Sequence, residues 1–185
     1  VPVVQMDSVI GNKSGKVLLT MFFQNSNLLL AFLRDHNTAR SVLDVFNDLY
    51  AMFGRETYCR LFPVILTDRG SEFSNPVPIE QDENGELRSL VFYCNPSAPY
   101  QKGGIEVAHE LVRRVLPKGK SFDDLQQEDI DLMLSHINSY KRGKLNSRSA
   151  YQLFSFIYGD DILPKLNIHE IEPNDIVLSP KLLKK

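Results

Sequence analysis

The sequence predicts an α/β fold: a mixed five-stranded sheet, three strands antiparallel and two more parallel, flanked by helices. Apolar, strand-like runs joined by short polar turns fill the first thirty-odd residues. A segment with helical spacing then separates them from two further short strands, and most of the second half again shows helical spacing.

Val3, Val4 and Met6 lead into Asp7 and then Val9 and Ile10, a β-branched run. A polar turn bounded by Gly11 and Gly15 follows. Val17–Phe23 and 28–33 read as the next two strands, split by Gln24, Asn25, Ser26 and Asn27. Short connections between successive strands imply an antiparallel meander, and the dense apolar content of the second and third implies cover on both faces. Thr38 is a helix cap, Val42, Val45, Phe46, Leu49, Met52 and Phe53 recur at helical spacing, and Gly54 reads as the stop. Residues 62–67 form a short apolar strand ending at Asp68; 80–88 read as an exposed acidic loop, and 90–94 as a strand. A two-proline turn at 95–99 leads to a helix over 104–116 with Ile105, Ala108, Leu111, Val112 and Val115 on one stripe, ended by Pro117. Further helices are expected over 122–140, on Leu125, Ile130, Leu132, Leu134 and Ile137, and over 149–158. Residues 159–185 are irregular and read as an extension packed partly on a 1–158 core.

At 185 residues and 21.1 kDa, one compact domain is the expectation, burying roughly 70% of the surface its unfolded chain exposes. Charge is balanced, 21 Lys and Arg against 23 Asp and Glu, so nothing draws the whole chain to nucleic acid; binding there must rest on local patches. Cys59 and Cys94 form no disulfide framework or Cys-x-x-Cys, which fits reduced thiols in a cytoplasmic setting. No apolar run is long enough to span a bilayer. The chain opens in strand-like sequence without an initiator Met, as an excised domain does.

Asp7 lies inside the first strand, Asp68 just past the fourth, and Glu106 near the start of a helix. With the strand order above, the three converge at one sheet edge. Hard cations such as Mg²⁺ and Mn²⁺ take carboxylate and phosphate oxygens, and a pair of ions about 3.5–4 Å apart can drive in-line displacement at a phosphodiester. Carboxylates crowded in a cleft repel unless cations neutralise them. Ordinary explanations stand beside this one: an exposed strand position for Asp7, a turn former before Gly70 for Asp68, and a dipole-favoured acid for Glu106.

Local sequence favours the metal reading. Val4-Gln5-Met6-Asp7-Ser8-Val9-Ile10-Gly11, Leu66-Thr67-Asp68-Arg69-Gly70-Ser71-Glu72-Phe73 and Tyr100-Gln101-Lys102-Gly103-Gly104-Ile105-Glu106 resemble the three acidic segments of IS30-family transposases. The stretch from Leu111 to Gly119 resembles that family's basic helix exit, and the likeness covers about residues 1–155. It implies a ribonuclease-H-like integrase core that cuts DNA at element ends and joins the freed 3′-hydroxyl to target DNA. Asp7, Asp68 and Glu106 are then the catalytic metal ligands for two Mg²⁺ or Mn²⁺ ions. The resemblance also implies element-end and target DNA as partners, a dimer or higher multimer, a bacterial cytoplasmic location at the nucleoid, and a separate N-terminal helix-turn-helix domain not visible in this chain. The family places Asn where Ile105, Val107 and His109 stand, and Gly at Glu110. Those departures leave room for a catalytically silent DNA-binding or assembly module, and a nuclease that never joins DNA is a third reading.

Auxiliary candidates are Glu72 on the loop after Asp68, and His109 and Glu110 on the glutamate helix. Each also reads as an ordinary cap, buried imidazole or exposed helix acid. Lys102, Arg113, Arg114, Lys118 and Lys120 surround that helix, and Lys141, Arg142 and Lys144 form a second basic run near Arg148. Both groups could grip phosphates without reading sequence, or be solvated faces.

Overall fold

The computed structural model describes residues 1–95 and 99–184, with the side chains of 99, 100 and 144 outside the description. The two-proline turn and Lys144 therefore fall wholly or partly outside the described residues.

Strands β1 (Val3–Ile10), β2 (Val17–Phe23) and β3 (Leu28–Arg34) form the predicted meander. Strands β4 (Val64–Thr67) and β5 (Leu90–Tyr93) extend it in parallel, giving the order β3-β2-β1-β4-β5. Every residue of β2 is buried, as expected of a central strand covered on both faces.

Helix α1 (Ala39–Leu61) starts at Thr38, whose hydroxyl accepts the Ser41 N–H while Ser41 Oγ accepts the Thr38 N–H. Gly54 breaks the helix at φ 76° and ψ 166°, but does not end it. The helix resumes because Tyr58 and Leu61 are buried, with Tyr58 packed on Tyr50 and Phe62 at ring separations of 5.1 and 5.0 Å.

The 80–88 segment is not simply an exposed acidic loop. It follows the short α2 (Val77–Glu80), and Asp82 folds it by accepting the Asn84 and Glu86 N–H groups. Those two bonds head the causes that hold its carboxyl below the usual range. Arg88 is buried over the Tyr50 and Tyr58 rings and donates to Ile79 O, Pro78 O and Asn47 Oδ1.

Helix α3 is Gly103–Val115, with the predicted stripe buried. Helix α4 is Gln127–Ser139, starting later than expected. Gln126 is extended at its cap, and Phe122 and Leu125 are buried ahead of it in turn conformation. Leu132, expected on the buried stripe, is exposed. Helix α5 (Ala150–Tyr158) is capped by Ser149, and a short α6 (Ile162–Lys165) follows. In the remaining chain Ile168 and Leu183 are buried, and the N–H groups of His169, Ile171 and Val177 reach Ser135, Ser139 and His136 of α4.

Candidate active site

Asp7 and Asp68 owe their proximity to strand register. Parallel pairing sets Val3 beside Val64 and Gln5 beside Leu66, and the same register continued two residues further brings Asp7 level with Asp68. Thr67 ties the strands by donating to Met6 O at 3.3 Å. Each aspartate has one oxygen fixed locally: Asp7 Oδ1 accepts the Ser8 N–H and Asp68 Oδ1 the Gly70 N–H, both at 2.8 Å. Both remaining Oδ2 atoms face one cation, the Lys102 ammonium, at 3.3 and 3.4 Å.

Lys102 therefore does not lie on an exposed phosphate-gripping face. It is buried at the entry to α3, and its ammonium also reaches Met6 O at 3.3 Å. Two contacts seat the helix. Gln5 Oε1 accepts the Ile105 N–H at 2.9 Å, and Gly104 packs so close to Phe22 that a Cβ there would sit 2.4 Å from the ring.

That seating exposes Glu106 on the wall of a groove of about 680 Å³, shared with Ser8, Val9, Ile10, His109, Glu110, Arg113, Arg114 and Lys118. Glu106 follows Lys102 by four residues, one helical turn further along α3. Among the described residues no three His, Cys, Asp or Glu side chains converge closely enough to hold a metal ion as they stand.

His109 is tied to β2 through Nε2 and Thr20 Oγ1, 2.8 Å apart, while the Thr20 hydroxyl is placed to donate to Asp7 O at 3.1 Å. With its single proton so used, Thr20 accepts from His109, which fixes the Nε2–H tautomer. Burial holds the imidazole below its usual pKa, opposed by Asp7 and reinforced by Lys102 and Arg113. Glu110 stays exposed on the groove wall.

Glu72 approaches from the loop after Asp68. Its Oε1 accepts the Ser8 hydroxyl at 3.0 Å, and a Cβ on Gly70 would meet both Glu72 Oε2 and Asp68 Oδ1. Ser8 Oγ in turn accepts from Arg34 at 3.1 Å. Burial lowers the Arg34 pKa to about 10, with Glu72 acting the other way. Sequence reading missed Ser8 and Arg34; the available signal was a lone Arg closing an otherwise apolar strand.

Of the other basic residues, Arg114, Lys118, Lys120 and Lys141 are exposed. Arg113 lines the groove, with its guanidinium on the carbonyls of Ile10 and Leu116. Arg142 is half-buried, and its Nε and one terminal nitrogen have no hydrogen-bond partner among the described residues. Those two nitrogens are buried, so Arg142 is not the open phosphate contact expected, and the same burial lowers its pKa.

No protein-family model matches the chain. It is 29% identical over 150 residues to "Putative integrase ORF3" of Spiroplasma virus SpV1-R8A2 B, covering 81% of this chain and 44% of that protein. It is 33% identical over 76 residues to the transposase for insertion sequence element IS1086 of Cupriavidus metallidurans, covering 40% and 22%. With transposase InsI for IS30A of Escherichia coli it shares 22% over 147 residues, covering 80% and 36%. The chain thus spans less than half the length of these curated relatives. The catalytic core domain of BIV integrase superposes with a TM-score of 0.56 at 22% identity, covering 84% of this chain and 92% of that one. A chain of a simian T-cell lymphotropic virus intasome in complex with PP2A regulatory subunit B56 gamma gives 0.61 at 18%, covering 92% and 58%. The fold is that of integrase catalytic cores, ribonuclease-H-like, and the relatives agree with the IS30-family resemblance carried by the three acidic segments.

Proposed function

We propose that this chain, a homologue of insertion-sequence transposases and of a viral integrase, is a metal-dependent DNA strand-transfer core. The observation that carries the reading is the register-matched pair Asp7 and Asp68, with both Oδ2 atoms turned onto one cationic centre. The donor set suits a hard divalent ion: two carboxylates already accommodate positive charge between them, and Glu106 stands on the adjoining helix.

In this reading Asp7, Asp68 and Glu106 hold Mg²⁺ or Mn²⁺, which when bound activates the attacking oxygen and stabilises the leaving one. The Ser8 and Gly70 N–H groups fix one oxygen of each aspartate, leaving the other for the cation. The Arg34–Ser8–Glu72 chain braces β1 beside Asp7, and His109 braces the Asp7 carbonyl through Thr20. Arg114 and Lys118, exposed around the groove, supply phosphate contacts that position DNA without reading its sequence. Glu110 stays an outer acid of that groove. Element-end DNA, a target duplex, a multimer holding both ends, and an end-reading domain elsewhere in the protein complete the proposal.

The test is incubation with Mn²⁺, linear duplex bearing the ends of the host element, and a plasmid target. Asp68→Asn is expected to lower joining by about 100-fold or more, roughly 2.7 kcal/mol of transition-state stabilisation. Equal joining by the variant contradicts the assignment. Cleavage without joined product in wild type favours a plain nuclease.

A further inference from the structure

Lys102 is a buried ammonium whose partners are the two carboxylates assigned to metal. Its ammonium donates to Met6 O and Asp68 Oδ2 at 3.3 and 3.4 Å, and stands 3.3 Å from Asp7 Oδ2 as an ion pair. Its side chain is 9% exposed, against 26% for Asp7 and 48% for Asp68, so it forms the inner side of the pair.

We propose that Lys102 is a built-in counter-ion of the Asp7–Asp68 pair, one that a divalent cation must displace, so that metal affinity is limited by release of this lysine. The inference rests on the reading of Asp7 and Asp68 as metal ligands. The ammonium and a metal ion compete for the same two Oδ2 atoms. An ion bound at about 2.0–2.6 Å from those oxygens would lie against the ammonium with no screening water between them. Like charges at that separation exclude each other, and the ammonium is the partner free to move, being a point charge on a four-carbon stem. Glu106 stands one helical turn further along α3, on the wall of the open groove. Until then Lys102 relieves the mutual repulsion of two adjacent aspartates, so the strand ends can keep their arrangement without metal.

The experiment is calorimetric titration of the 185-residue chain with Mn²⁺, comparing wild type, Lys102→Met, Asp68→Asn and the double variant. Lys102→Met is expected to bind Mn²⁺ about tenfold or more tightly, discounting the Coulomb gain for the exposure of Asp68. It should also melt lower without metal and gain more melting temperature on Mn²⁺ addition, and the double variant should lose the gain. Equal or weaker binding by Lys102→Met, with Asp68 still required, overturns the counter-ion role and leaves the metal reading intact. No Mn²⁺ binding by wild type or Lys102→Met overturns both.

Should Lys102→Met not fold, the wild-type chain gives the answer by mass spectrometry. Acylation of the Lys102 amine at fixed pH should accelerate on saturation with Mn²⁺. An unchanged rate under saturating metal overturns the proposal.

Discussion

At the scale of single residues, the site depends on how closely α3 sits on the sheet, and Gly104 controls that distance. A Cβ there would sit 2.4 Å from Phe22 Cε1, well inside contact, and Phe22 is itself buried. Gly104→Ala is therefore expected to destabilise the chain by about 1–3 kcal/mol in urea unfolding, as overpacking does, despite the better helix propensity of Ala. A neutral or stabilising result would mean that the helix entry can shift at no cost. Asp7 and Asp68 were legible in sequence because their flanking residues carry a resemblance, and register then explains why they adjoin. The destination of Lys102 was not legible. A lysine ahead of a helix reads as exposed and basic, and only the approach of α3 to β1 turns its ammonium inward. Arg34 escaped notice for a related reason: Asn37 and Ser41 follow it closely, but Ser8, which links it to Glu72, lies on β1 and is brought to it only by the fold.

At the scale of elements, the five strands and the antiparallel meander followed from composition, because β-branched and aromatic runs with short polar turns leave few alternatives, whereas the pairing of β4 with β1 came from the structure. Helix limits followed less well. Gly54 has the backbone geometry of a stop, yet tertiary burial of Tyr58 and Leu61 restarts the helix beyond it. Phe122 and Leu125 share the apolar spacing of α4 but are buried from a turn, which periodicity cannot distinguish from a helix. The final segment is fastened to α4 partly by His136, whose Nδ1 accepts the Val177 N–H at 3.0 Å. Burial holds this histidine below its ordinary 6.5, with Asp175 opposing. Because the folded value is depressed, the unfolded chain takes up the proton first as pH falls. The stabilisation is thus full above about 6.5 and is lost as pH falls from there to the lower folded value. Amide exchange at Val177, corrected for intrinsic rate, should speed up between pH 7 and pH 5, and stability should fall with it. His136→Asn should flatten the stability slope; an unaltered slope would remove His136 from the account. His109, also buried and depressed, contributes a slope of the same sign.

At the scale of the whole molecule, a formal charge of -2 means that DNA affinity has to come from placement, not from total charge. The exposed set, Arg114, Lys118 and Lys120, lies at and just beyond the exit of α3, and Arg114 and Lys118 line the groove that bears Glu106. Binding to duplex DNA should therefore weaken with salt. Replacing Arg114 and Lys118 by Ala should reduce the log–log salt slope by about two while weakening all sequences alike. A slope unchanged by both substitutions would put the DNA face elsewhere. No described helix is long and apolar enough to cross a membrane. The central claim is that Asp7 and Asp68 hold a divalent ion, and anomalous diffraction from a crystal soaked in Mn²⁺ addresses it directly. The predicted result is a manganese peak touching both Oδ2 atoms, with the Lys102 ammonium withdrawn and Glu106 turned towards the ion. Manganese bound only elsewhere, with Lys102 still seated between the two aspartates, would contradict it.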